Sequence, residues 1–256
     1  MTDELGTRIK EQYENRARYF LPRRTYTIIR IDGKAFHSFT KYCKRPYDLE
    51  LMNDMDNTAM YLCKHIQGAK FAYVQSDEIS ILLTDFETIT TDAWFNGNIQ
   101  KIVSVSSSMA TSKFNQLRLL GSCGFIFSKD NKECKCINFE DLSNYKLAEF
   151  DSRTFTIPDS IEVENYFIWR QKDAVRNSIS MTAQSLYSHK QLENKSQSDM
   201  QEMCFQKGIN WNDMIDGFKR GRTIRKINID EKTKWVIETP DFLKEREIFN
   251  ELIPKI

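Results

Sequence analysis

Two short acidic clusters constrain the fold of this chain more than any other feature. The first is Arg30-Ile31-Asp32-Gly33-Lys34; the second, 77 − 32 = 45 residues further on, is Gln75-Ser76-Asp77-Glu78. Each closes a short apolar, β-branched run, Tyr26-Thr27-Ile28-Ile29 and Phe71-Ala72-Tyr73-Val74 respectively. A further run, Ile79-Ser80-Ile81-Leu82-Leu83, follows the second cluster directly. Carboxylates on otherwise buried strands are costly unless something neutralises them. Mg2+ with a nucleoside triphosphate is one such partner, because Mg2+ takes hard oxygen ligands and a two-ion site suits phosphoryl transfer. The plainer alternative has Asp32 ending a strand in a turn and Asp77-Glu78 forming a surface hairpin tip. The two clusters together, with a basic, glycine-bearing segment after the first, favour the metal reading.

Between the clusters, about Asp48 to Gln67 reads as a helix, with Leu51, Met55, Met60 and Leu62 apolar and Gly68 as its stop. The runs flanking Asp77-Glu78 read as an antiparallel hairpin. A Ser- and Ala-rich helix is expected over about 91–117, then strands near 122–127 and 136–139. A long helix runs from about Ile161 to Tyr187, and 195–199 is the most loop-like segment. Helix at 200–218 and a closing hairpin of 224–229 with 234–238 complete the chain, and an amphipathic helix over 4–20 precedes everything. Strand, helix, hairpin, helix, strand predicts an α+β fold with a ferredoxin-like core and a helical remainder. The expected division is a catalytic core over 1–140 and a helical, basic extension over 141–256 that completes it and binds RNA.

Composition narrows the class without choosing a function. Of 256 residues, 40% are hydrophobic and 29% charged, enough for a folded core. With 37 Lys+Arg against 36 Asp+Glu, overall charge argues neither for nor against nucleic acid, so only local patches can. No apolar run is long enough to span a membrane. The acidic start, Met1-Thr2-Asp3-Glu4-Leu5, lacks the apolar segment of a secretory signal. A cytoplasmic location is expected, with an organelle still open. The six cysteines and three histidines show no zinc spacing, so the thiols read as free.

Several residues near the clusters suit phosphate chemistry. Gly33 lets the backbone turn so that its carbonyl can join the carboxylates around a cation. Lys34, Phe36 and His37 follow; a structural role for His37 is the plain alternative. Lys44-Arg45-Pro46-Tyr47-Asp48 adds two cations on a proline-stiffened loop, suited to a triphosphate or simply solvated. No P-loop and no Gly-x-Gly-x-x-Gly occurs, which argues against P-loop NTPases, kinases and Rossmann cofactors. In the second half, Arg170, Asp173, Arg176 and Asn177 share one helix face. Lys219, Arg220, Arg222 and Arg225 lie near Trp211, Phe218 and Trp235, a pattern that fits RNA phosphates and an unstacked base or merely solvated charge.

These residues together resemble the histidine-tRNA guanylyltransferase superfamily of reverse (3′→5′) nucleotide polymerases. The resemblance is carried by Arg30-Ile31-Asp32-Gly33-Lys34-Ala35-Phe36-His37, Arg45-Pro46-Tyr47-Asp48, Gln75-Ser76-Asp77-Glu78, Trp94-Phe95 with Lys101, and Tyr166-Phe167-Ile168-Trp169-Arg170-Gln171-Lys172-Asp173. It implies a polymerase palm, an antiparallel sheet with helices, plus a helical C-terminal extension, assembled as a homotetramer. It implies catalytic roles for Asp32, Asp77 and Glu78, with Asp32, Asp77 and the Gly33 carbonyl holding two Mg2+ ions. Phe36, His37, Arg45, Ser76 and Lys101 would line the nucleotide, joined by Lys34, Lys44 and Asp48. Arg170, Arg176, Asn177, Lys219, Arg220, Arg222 and Arg225 are the expected tRNA contacts. ATP or GTP would activate the 5′ end and supply the incoming nucleotide.

One departure bears on the substrate. Eukaryotic members that add guanosine to histidine tRNA carry His-Ile-Asn where this chain has Val175-Arg176-Asn177. The chain is thus similar to the guanylyltransferase-like branch, which restores missing 5′ nucleotides of truncated tRNAs by template pairing. The expected function is therefore template-dependent tRNA 5′-end repair. The alternatives are guanosine addition to histidine tRNA, a non-catalytic RNA-binding module on a degenerate palm, and a nucleotide cyclase.

Overall fold

Period-two alternation sorts the strand residues between two helical layers. In a computed structural model that describes residues 3–122, 146–229 and 232–255, the elements run in the following order. The first half contains α1 (Glu4–Ile9), β1 (Tyr26–Gly33), α2 (Phe36–Phe39), α3 (Leu49–His65), β2 (Ala69–Gln75), β3 (Glu78–Leu83) and α4 (Ile99–Ser122). The second contains β4 (Phe150–Ile157), α5 (Ser160–Gln184), α6 (His189–Leu192), α7 (Gln197–Gln206), α8 (Asp216–Arg220), β5 (Arg222–Ile229), β6 (Lys232–Glu238) and α9 (Phe249–Leu252). The strands expected near 122–127 and 136–139 lie outside the described residues, except Ser122, which ends α4.

One six-stranded sheet has the order β4-β1-β3-β2-β5-β6, and every ladder is antiparallel. Its first four strands, connected through α3 and α4, make the ferredoxin-like arrangement. β5 and β6 extend the β2 edge. The second half of the chain therefore completes the sheet that carries the acids. Ile29, Ile31, Val74, Ile79 and Ile81 pack with Met55, Ala59 and Leu62 of α3 and with Phe114 of α4. Tyr26, Ile28, Phe71, Tyr73 and Leu82 face the other way, against Val163 and Phe167 of α5 and Phe249 and Leu252 of α9.

Local signals set the helix ends. Asp48 caps α3 by accepting from the Leu51 N–H at 3.0 Å. The chain then turns at Gly68, whose φ of +82° and approach to the Thr84 carbonyl exclude a side chain; a Cβ there would lie 2.5 Å from that oxygen. Asp159 caps α5 in the same manner as Asp48.

Three expectations are corrected. The N-terminal segment is α-helical only over Glu4–Ile9 and continues as a π-helical stretch over Lys10–Glu14 and a 3-10 turn over Asn15–Ala17, and Leu5, Ile9, Tyr13 and Phe20 stay exposed. α4 begins only at Ile99, since Phe95 and Asn96 take left-handed backbone before Asn98 accepts the Lys101 N–H. The segment 195–199 is not a loop: Ser196 and Asp199 form a capping box that starts α7.

Candidate active site

Antiparallel pairing brings the last residues of β1 beside the first of β3, so the two acidic clusters meet at one end of the sheet. Asp32 lies directly opposite Glu78 on β3 and opposite Asp151 on β4. The next row on the same face is Ser80, Arg30 and Arg153. Between β2 and β3 the turn has two residues, Ser76 and Asp77, with Ser76 at φ +46°. This tight turn holds Asp77 near Asp32. Burial first, and then the Asp32 charge, push the Asp77 carboxyl up to about 6.

The Asp32 charge opposes ionisation of Asp77, so a cation beside the pair would favour the charged form of Asp77. Mg2+ is often held by one or two carboxylates, with waters and substrate phosphates completing its shell. Asp32, Asp77 and the Gly33 carbonyl fit that pattern, because all three present hard oxygen. Among the described residues no group of three His, Cys, Asp or Glu side chains could hold a metal ion unaided. Waters, or phosphate oxygens when a nucleotide is bound, would complete the shell here. A Cβ at Gly33 would lie 2.2 Å from the Phe36 ring, so glycine keeps the backbone seated on that ring.

A cavity of about 510 Å3 opens beside the acids. Gly33, Ser76 and Asp77 form one wall, with His37, Lys44, Arg45 and Asp48 around it. Lys44 and Arg45 are exposed, and among the described residues neither enters an ion pair. Burial works against ionisation of Asp48, but the N–H groups of Leu51 and Lys44 outweigh it and hold the carboxyl below its ordinary value. Phe36 borders the cavity, but its ring belongs to an aromatic cluster with Phe39, Phe114 and Phe150. Tyr47, Leu51, Met181 and Gln184 are also in the lining. The last two come from α5, more than a hundred residues away in sequence, and no local motif announces them.

Some expected residues are elsewhere. Lys34 pairs with Glu149 at 2.6 Å, and Lys101 lies 5.8 Å from the Phe95 ring; neither lines the cavity. Glu78 is buried and meets Arg30 and Arg170. Arg170, expected on RNA, is only 3% exposed and is engaged by Glu78 and Asp173.

The basic run from the end of α8 into β5 is likewise engaged within the protein. Lys219 donates to the Asn212 carbonyl, and Arg222 meets Asp56 at 2.7 Å in the interior. Arg220 pairs with Asp216, and Arg225 with Glu238 and Glu251. Arg176 and Asn177 remain exposed on α5, where both reach Asp173. A sequence count of cations cannot register acids that arrive from other elements.

Comparison with known proteins agrees with this geometry. Residues 7–158 match the family model for tRNAHis guanylyltransferase. A tRNA(His) guanylyltransferase of Debaryomyces hansenii is 30% identical over 224 residues, 82% of this chain and 76% of that protein. A bacterial tRNA(His) guanylyltransferase-like protein in complex with ATP superposes with a TM-score of 0.82 at 42% identity, covering 97% of this chain and 99% of that one. A bacterial protein of the same description in complex with GTP gives 0.79 at 40% identity, covering 98% and 100%.

Proposed function

The chain belongs to the tRNA(His) guanylyltransferase family, nucleotidyltransferases that act on tRNA, and from that membership we propose that it repairs 5′-truncated tRNAs by template-directed 3′→5′ addition. The observation that carries this reading is the meeting of Asp32 with Asp77, which lines a cavity also lined by Lys44 and Arg45, two cations without an ion pair among the described residues. Phosphoryl transfer asks mainly for positioning and charge neutralisation, which such a site offers. Lys44 and Arg45 would hold the triphosphate of the incoming nucleotide, and His37 and Ser76 offer further hydrogen-bonding groups. Asp32, Asp77 and the Gly33 carbonyl would hold Mg2+. When bound, Mg2+ supplies neutralisation of the phosphate charge that develops during transfer.

The reaction joins the 3′-hydroxyl oxygen of the incoming nucleotide to the activated 5′ phosphorus of the tRNA. The hydroxyl proton is lost to solvent or base. The departing group is pyrophosphate when the end is a triphosphate, or AMP when ATP has activated a monophosphate. Two observations support repair over guanosine addition to histidine tRNA. Val175-Arg176 replaces the His-Ile of the guanosine-adding members. Identity to the bacterial guanylyltransferase-like proteins, 42% and 40%, also exceeds the 30% to the yeast guanylyltransferase. A homotetramer in the cytoplasm is part of the same proposal.

The test is addition to a tRNA lacking its first nucleotide, with each NTP supplied separately. Repair requires incorporation only of the base that pairs with the opposing strand. Incorporation of G whatever the opposing base would instead establish the guanosine-adding reading.

A further inference from the structure

Glu78 spends its whole acceptor capacity inside the protein. Its Oε1 accepts from Arg170 Nε at 2.8 Å and from Ser80 Oγ at 3.3 Å. Its Oε2 accepts from Arg170 Nη2 at 2.6 Å and meets Arg30 Nη2 at 2.5 Å. A carboxylate has about four lone-pair sites, so none remains for a metal ion. Two guanidinium groups face this one anion. The excess positive charge is shared outward, with Asp32 lying 3.8 Å from Arg30 Nη2 and Asp173 3.0 Å from Arg170 Nη2.

The placement of these groups gives the cluster a mechanical role. Glu78 is the first residue of β3 and directly follows Asp77 in the hairpin turn. Arg30 lies two residues before Asp32 on the same face of β1. Arg170 projects from α5 and grips Glu78 through two parallel hydrogen bonds, the planar geometry that only a guanidinium supplies. Its guanidinium carbon also lies 4.5 Å from the centre of the Trp169 ring, which limits its motion. Arg170, from the second half of the chain, thus holds the start of β3 against α5, and Arg30 links that point to Asp32 on β1.

We infer that Glu78 is an internal counter-ion rather than a metal ligand, and that Arg170 is a positioning residue that sets the separation of Asp32 and Asp77. The inference rests on the proposed nucleotidyl transfer at this site. It also reassigns Arg170, which acts through Glu78 and does not touch RNA.

The test compares Glu78→Gln, Arg170→Gln, Arg170→Lys and the double variant Glu78→Gln/Arg170→Gln with Asp77→Asn. Mn2+ binding is measured by calorimetry without nucleotide, alongside the single-turnover addition rate and Tm. Rates are read at a temperature where circular dichroism shows each variant folded. Glu78→Gln and Arg170→Gln should weaken Mn2+ binding and slow addition by similar factors of about 10–100-fold. The double variant should be no worse than either single one, because the two residues act as a unit. Arg170→Lys should recover only part of the rate.

Loss of Mn2+ binding in Glu78→Gln with retention in Arg170→Gln would make Glu78 a ligand and overturn the inference. A lower Tm with unchanged Mn2+ binding and rate would also overturn it, reducing the cluster to a structural tie. If Glu78→Gln does not fold, the Arg170→Lys rate and Mn2+ affinity decide, and wild-type values for both would refute the positioning role. Full activity in Asp77→Asn would defeat the proposed function instead, leaving the Mn2+ comparison to judge Glu78 by itself.

Discussion

Asp32 and Glu78 face each other across the β1–β3 ladder on one face of the sheet, yet their surroundings differ sharply. The Asp32 side chain is 32% exposed, whereas that of Glu78 is 6% exposed and enclosed by arginines. Like charges directly opposite on a ladder repel. Arg30 reduces that repulsion by contacting both, at 3.8 Å and 2.5 Å respectively. The pair is thereby divided into one acid that holds the framework and one left available to a ligand.

Asp77→Asn keeps the size of the side chain and removes one anionic oxygen from the pair. Addition to a 5′-truncated tRNA should fall to background while tRNA binding persists. In EDTA the variant should melt no lower than wild type, because a half-buried carboxylate near Asp32 is a source of repulsion. Adding Mg2+ should raise the Tm of the wild type and leave that of the variant in place. Scanning fluorimetry with and without Mg2+ reads this directly, and equal Mg2+ shifts would remove Asp77 from the metal site.

Lys44→Ala and Arg45→Ala each delete an exposed cation from the cavity wall that enters no ion pair among the described residues. Hydrogen bonds to charged groups contribute about 1.5–3 kcal/mol, or roughly 10–100-fold in binding. The NTP half-saturation concentration should rise by about that factor in each variant. Tm should not move, because neither side chain supports the fold. Steady-state kinetics against NTP, at fixed tRNA, checks both statements.

Asp56 and Arg222 form a buried ion pair between α3 and β5, closed at 2.7 Å. Burial raises the Asp56 carboxyl while the Arg222 charge opposes the rise. Removing one partner strands the other charge, so Asp56→Ala should cost about 3–5 kcal/mol of stability. Urea unfolding measures this, and a loss below 1 kcal/mol would mean that water or another group reaches Arg222.

Arg176 is 58% exposed, whereas the Lys219 side chain is 9% exposed and held by the Asn212 carbonyl at 2.7 Å. Arg176→Ala should weaken tRNA binding and flatten the dependence of log K on log salt by about 0.7–0.9, one phosphate contact. Lys219→Ala should lower Tm and leave that slope unchanged. Anisotropy of labelled tRNA across a KCl series distinguishes them. The reverse pattern would mean that the run from the end of α8 into β5, not the α5 face, carries the RNA.

Much of the fold was legible locally. Capping residues such as Asp48 and Asp159, the apolar spacing of Met55 and Leu62, and the runs around Asp77 need only near neighbours to act. The misjudged segments were those where local and distant forces disagree. Leu5, Ile9 and Tyr13 have helical spacing, but no described surface receives them. Cys123, Cys134 and Cys136 lie outside the described residues; Cys43, Cys63 and Cys204 are free thiols, as read from the sequence.

By itself the sequence determined that each acidic cluster lies at a strand end, because alternation and turn chemistry are short-range properties. It also supplied the cations at 44 and 45, which enter no ion pair among the described residues. Only the tertiary structure decided what each charge is worth, since that depends on what other elements bring within a few ångströms. Arg170 and Glu78, 92 residues apart, cancel in the interior, and Arg222 cancels with Asp56 across 166. The charge of a side chain is written in the sequence, but its availability is set by desolvation and by the partner that folding supplies.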